Sequence, residues 1–297
     1  MTTFRELLQM QWHARKFVCQ RLVGYPGNGP QVEKFWNDSD ENGRIDAANI
    51  TIVEATSDIV GSYALNLAFY IAHGDEGMHA LRQTAWYIRS IAPEILIILD
   101  TMDVGNTDAG SVRMVFEYCQ ADAIIVNPYR GMEAAQPFLD QKDKGIIVLC
   151  RTSTAGASEF QDLIVGVPEG SIEPLVGRVG SEVPKTMPLW EYVAHRVSRN
   201  WNGNGNCALV VGATYPQELS QVRRIAGDMP MLIQDIGFRD EDVEKTVTAS
   251  QDSRGQGIII NSRGSIFVMK GWDFAEAARS DAEKLHKLIN RYSQEGT

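Results

Sequence analysis

The chain has no CxxC pair, no HxxxH or HExxH spacing, no GxGxxG after its first strand-like run and no apolar run long enough to cross a bilayer. Each absence excludes a class of function. Cys19, Cys119, Cys150 and Cys207 are scattered, so they read as thiols of a reducing cytosol and not as a disulfide framework. Without paired histidines a zinc site has no support. Basic residues are outnumbered: 28 Lys and Arg against 38 Asp and Glu leave a formal charge of −10. A nucleic-acid binder would want a basic face, so no nucleic-acid partner is expected. The opening MTTFRELLQMQWHARKF is amphipathic but lacks the pattern of a signal peptide. A cytoplasmic location, no membrane partner, no cofactor and no metal are therefore expected.

What is present fits a globular α/β protein: 297 residues, 44% hydrophobic and 22% charged. Short apolar runs rich in β-branched residues alternate with amphipathic helical patterns. The runs are 17–19, 62–67, 95–99, 123–126, 146–150, 208–211, 231–234 and 258–260. Between them, 76–91 places Met78, Leu81, Ala85, Ile88 and Ile91 on one helical face. Thr214 and Gln217 offer a capping box, with Pro216 in the first turn and Gly227 as the stop. Eight strands, each followed by a helix, make a (β/α)8 TIM barrel the economical fold. An open doubly wound sheet is the alternative, disfavoured because YPGNGP at 25–30 is turn chemistry and not a dinucleotide fingerprint. Residues 1–297 are expected to form one barrel domain. Residues 164–206, Gly- and Pro-rich and then helical from about Pro188 to Asn200, read as an excursion within it.

Active sites of such barrels form at the C-terminal ends of the strands. Those ends carry Asn66; Asp100 and Asp103; Asn127; Arg151, Thr152 and Ser153; Thr214; Gln234 to Arg239; and Asn261 to Ser265. Asp100 and Asp103 have two readings. One is an acid–base or electrostatic pair. The other is a strand end and a helix cap. Arg263 beside Gly264 suits the phosphate grip that barrels often build after strands seven and eight, although Asp235, Asp240, Glu241 and Asp242 crowd the neighbouring loop. His73 and His79 read as surface or helix-capping residues, His195 and His286 as structural ones on helices.

At these strand ends the sequence resembles the orotidine 5′-phosphate decarboxylase family, in its longer bacterial branch. The stretches that carry the likeness are NLAFYIAHGDEG (66–77), ADAIIVNPYRG (121–131), GIIVLCRTSTAGASEFQDL (145–163), LVVGATYPQEL (209–219) and IIINSRGSI (258–266). The resemblance implies a barrel, a small-molecule ligand and a homodimer whose subunits share the site. It also implies a strand-three motif D-x-K-x-x-D-I-x-x-T, whose lysine protonates the carbanion left by departing carbon dioxide. Here the text is D-T-M-D-V-G-N-T. Asp100, Asp103 and Thr107 match by type. Met102 stands at the lysine, and the segment is two residues shorter. A thioether donates no proton. The family's K-P-N after strand two reads Ala64-Leu65-Asn66, and the acid that ends its first strand is replaced around Arg21-Leu22-Val23. Its phosphate loop P-G-I-G-x-Q reads Gln234 to Arg239, and its pyrimidine-contacting serine is Ser153, followed by Thr154 and Ala155 in place of Asn and Pro.

The expectation is a repurposed barrel. Asp100 and Asp103 are its candidate catalytic residues, and Asn66, Thr107, Ser153, Arg239, Arg263 and Gly264 its candidate substrate contacts. Two alternatives stand beside it: an orotidylate decarboxylase with a relocated proton donor, and a non-catalytic dimeric binding or regulatory protein.

Overall fold

The computed structural model describes residues 2–22, 45–101, 109–172, 184–237, 239–262 and 274–293. Eight parallel strands close into a barrel in the order β1 (Val18–Arg21), β10 (Ile258–Ser262), β9 (Met231–Ile236), β8 (Cys207–Gly212), β5 (Gly145–Arg151), β4 (Ala123–Val126), β3 (Leu96–Asp100) and β2 (Ser62–Asn66). The chain is therefore a (β/α)8 barrel, and each expected apolar run lies in or overlaps one barrel strand. The strands are short and buried on both faces, because one face fills the barrel and the other meets helices.

Helices α2 (Ile45–Thr56), α4 (Gly74–Ile91), α6 (Gly131–Leu139), α9 (Pro216–Ala226), α10 (Asp240–Ser250) and α11 (Phe274–Tyr292) belong to the surrounding layer. A short α3 (Leu67–Ala72) precedes α4, and α5 (Ala109–Arg113) runs on into a π-helical turn, Met114–Tyr118. On α4 the buried stripe includes Leu81, Ala85 and Ile88 as expected, but Ile91 is exposed at the helix end. Helix α9 starts at Pro216 with Tyr215 at its N-cap and no side-chain capping bond. The expected box of Thr214 and Gln217 does not form. A proline at the first turn has φ preset and no N–H to satisfy, so the entry needs no hydroxyl. Gly227 does end this helix, at φ +60°.

Helix α1 (Phe4–His13) opens on a capping box, with Thr3 and Glu6 bonded reciprocally. It packs at the N-terminal end of the barrel. Trp12 Nε1 donates to the Ile258 carbonyl at 2.8 Å, and Gln11 Nε2 to that of Glu94 at 2.8 Å. A Cβ on Gly145, at the start of β5, would lie 2.6 Å from the Phe4 ring. This end is packed shut, which leaves the opposite, C-terminal end for chemistry.

Between β5 and β8 the pattern departs from one strand, one helix. A four-residue α7 (Ser158–Gln161) leads to an antiparallel pair, β6 (Ile164–Gly166) with β7 (Thr186–Pro188). Helix α8 (Leu189–Arg196) then continues into a π turn, Val197–Trp201. No described helix is long and apolar enough to cross a membrane.

Candidate active site at the barrel mouth

Strand register decides which side chains enter the mouth. Cys19 pairs with Ser62, Arg21 with Ala64, Ile98 with Ala64, and Asp100 with Asn66. Side chains alternate along a strand, so Cys19, Arg21, Ser62, Ala64, Asn66, Ile98 and Asp100 share one face. Tyr63, on the opposite face, shares a 2.9 Å hydrogen bond with Thr56 of α2. The first set therefore faces the barrel interior. Arg21, Asn66 and Asp100 are the polar tips of three adjacent strands.

Asn66 is buried, and its Oδ1 accepts from the Phe69 N–H at 3.2 Å, capping α3. Asp100 is half-buried beside it. The next residue, Thr101, is buried and donates its hydroxyl to the Ile125 carbonyl at 2.9 Å, which pins the exit of β3.

Across the mouth, Ser153 donates its hydroxyl to the Asp235 carboxylate, and Arg21 Nη2 lies 3.5 Å from the other Asp235 oxygen. One carboxylate thus joins β1, the segment after β5 and the end of β9. Asp235 adopts φ +61°, a left-handed conformation that aspartate tolerates better than most residues. Gly212 at the end of β8 makes room for this arrangement: a Cβ there would lie 2.7 Å from the Ser153 nitrogen.

A second network fixes the same segment. Arg151 is buried, with Nε 2.5 Å from Glu218 and Nη2 3.2 Å from Asp162, and its guanidinium lies over the Tyr215 ring. Burial pulls its pKa down, but Glu218 and Asp162 outweigh this and the net shift is upward. Gln161 clamps Thr152 from both sides: its Oε1 accepts from the Thr152 N–H at 2.9 Å, and its Nε2 donates to the Thr152 hydroxyl at 3.0 Å. Ser153 is therefore presented by a braced turn.

The structure places Asn66 and Asp100 side by side, and Ser153 across from them with Asp235. Arg239 is placed in solvent, its side chain 83% exposed and its Nε 2.6 Å from Asp242. Asp103, Thr107, Arg263 and Gly264 lie outside the described residues. Arg21 was not foreseen as a site residue. The sequence carries only a weak signal for it: a basic residue after Phe17-Val18-Cys19-Gln20 reads as a strand leaving the core. In the sequence Asp235 only crowds the loop; in the structure it is the hub that holds Ser153. Among the described residues no group of three or more His, Cys, Asp or Glu is placed to hold a metal ion.

The comparisons agree with this architecture. Residues 44–270 match the family model described as Orotidine 5'-phosphate decarboxylase / HUMPS family. The orotidine 5'-phosphate decarboxylase of Janthinobacterium sp. (strain Marseille) is 38% identical over 296 residues, covering 98% of this chain and 99% of that protein. The protein of the same name from Cellvibrio japonicus (strain Ueda107) is 37% identical over 294 residues, 97% and 98% of the two chains. Among solved structures, Leishmania donovani OMP decarboxylase superposes with a TM-score of 0.73 at 28% identity, covering 97% of this chain and 99% of that one. Leishmania donovani UMP synthase gives 0.76 at 28% identity and 99% coverage of this chain, which spans 57% of that longer protein.

Proposed function

The chain belongs to the orotidine 5'-phosphate decarboxylase / HUMPS family, and from that premise we propose that it is a member whose mouth has been rebuilt for a small molecule other than orotidine 5′-phosphate. One observation carries the reading: the Asp235 carboxylate, held by Ser153 and Arg21 at the end of β9. The loops after the seventh and eighth barrel strands are where barrels commonly grip phosphate. A fixed carboxylate there repels a phosphate dianion. It also neutralises Arg21, the cation that the described mouth contains. An Asp235–Arg21 pair of opposite charges favours a neutral polar ligand over a phosphate dianion.

The strand-three text supports the same reading. Protonating a ring carbanion needs an acid that can give up its proton, and Met102 has none. Arg21 is no substitute, because a guanidinium stays protonated in proteins. In this proposal Asp100 is the general base or electrostatic element of a non-redox reaction, with Asp103 as its companion. Asn66, Thr107, Ser153, Arg263 and Gly264 contact the ligand, and Arg239 joins them only by leaving Asp242. The chain works without a cofactor as a cytoplasmic homodimer, with residues 164–206 an excursion from a single barrel domain.

The second reading is orotidylate decarboxylation itself, and full-length identity near 38% to proteins of that name favours it. A direct assay separates the two. The purified chain is expected to release no carbon dioxide from orotidine 5′-phosphate above the uncatalysed rate, and to show no thermal shift with that compound or with inorganic phosphate. Turnover of about 1 s⁻¹ or faster would establish the second reading.

A further inference from the structure

Outside the barrel, on the helix side of β4 and β5, lies an open-sided cavity of about 690 Å³. Its origin is in the chain order. The helix that should cover β5 is the four-residue α7, and α8 arrives only after the β6–β7 pair. Cys150 donates its thiol to the Trp190 carbonyl at 3.2 Å, so α8 meets the outer face of β5. The cavity remains between α8, α7 and the start of α6.

Its walls are mostly apolar and aromatic, with Met132, Phe160, Trp190, Val193 and Trp201 prominent. Arg196 of α8 also lines it. Arg196 is half-buried, and its Nη1 donates to the Ser171 carbonyl. No carboxylate among the described residues pairs with it. Half-buried Arg21 and Arg89 pair with Asp235 and Asp122, while Arg15 and Arg223, without a carboxylate, are each held by three or more oxygens; Arg196 has the Ser171 carbonyl as its one described partner. The remaining edge of a half-buried guanidinium beside aromatic walls is suited to a bidentate bond with a carboxylate. The volume lies within the range of small-molecule pockets.

We propose that this cavity is a second ligand site, on the far side of the Thr152–Gln161 clamp that borders the mouth, and that it takes a flat organic anion of the aromatic carboxylate class. The ring system stacks among Trp190, Trp201 and Phe160, and the carboxylate meets the free edge of Arg196.

The probe is 2-naphthoate, with neutral 2-naphthamide as its control, read by tryptophan fluorescence and calorimetry on the full chain. Saturable binding of one naphthoate per chain is expected, at least about tenfold tighter than the amide. Arg196→Gln removes that preference and leaves amide binding unchanged. Val193→Trp fills the cavity and abolishes binding of both, with the circular dichroism spectrum retained. Absence of saturable binding, equal affinity for acid and amide in the wild type, or naphthoate binding that survives Val193→Trp overturns the proposal. Should Arg196→Gln fail to fold, the wild-type comparison of acid with amide decides alone.

Discussion

Asp235 holds two unfavourable features in one residue. Its backbone sits in the left-handed region, at φ +61°, and its carboxylate sits where the barrel fold usually collects anions. Both persist because Ser153 and Arg21 hold the side chain from two directions. Backbone and side chain can be separated by substitution. Asp235→Gly and Asp235→Ala each delete the carboxylate, but only glycine is at ease at this φ. In urea denaturation the glycine variant is expected to be more stable than the alanine variant by about 1 kcal/mol. Equal stabilities would mean that the backbone relaxes out of the left-handed region once the carboxylate is gone. The same Asp235→Gly change removes the repulsion described above. It is expected to raise the affinity of the mouth for inorganic phosphate by about fivefold or more, since a fixed like charge nearby is worth on the order of 1 kcal/mol even when screened. A phosphate titration by calorimetry on both proteins checks this.

At the scale of elements, α8 does the work that a single helix after β5 would otherwise do, and it does so with a buried histidine. Burial, aided by nearby Arg199, pushes the His195 pKa down to about 4. In the unfolded chain a histidine takes its proton near pH 6.5. Between those values the unfolded state binds the extra proton and the native state does not. Stability is therefore lost as the pH falls from about 6.5 toward 4, by roughly 3 kcal/mol at most. Urea midpoints at pH 7.5 and pH 5 measure the loss, and His195→Gln is expected to show a shallower fall than the wild type. A variant with an unchanged slope would place the acid sensitivity elsewhere. The α8 segment also marks how far the sequence could be read. Periodicity found a helix from about Pro188, because Trp190 and Ala194 bury one face. It found the eight barrel strands for the same reason: each is a short run whose burial is local and visible. The Thr152–Ser153 segment was visible only as a strand end. What braces it comes from far along the chain, Asp162 and Glu218 on Arg151, and Asp235 on Ser153. No local pattern announces such pairings. Arg21 stayed hidden because a basic residue after an apolar run looks like a strand leaving the core, whereas here it looks into the barrel.

The molecule as a whole divides its tasks between its ends. The N-terminal end is closed by α1, where Phe4, Leu8 and Trp12 are almost fully buried. Among the described residues the C-terminal end is polar, with Asp100, Asp235 and Arg21 at its mouth. The two ends are joined by buried strands packed on both faces, so stability is concentrated in the barrel and the plug, while the half-buried to exposed Thr152–Ala155 segment is expected to exchange by local opening. Trp12→Ala deletes a large buried side chain and its bond to Ile258, and is expected to cost about 3–5 kcal/mol. The mouth should not register that loss. Amides of loops that exchange by local opening are insensitive to global stability as long as the protein remains folded. Hydrogen exchange at Thr152–Ala155 is therefore expected to be the same in wild type and Trp12→Ala, whereas exchange in β5 and β10 accelerates. Faster exchange throughout the mouth as well would mean that plug and site form one cooperative unit, and that the braces around Ser153 borrow their rigidity from the far end of the barrel.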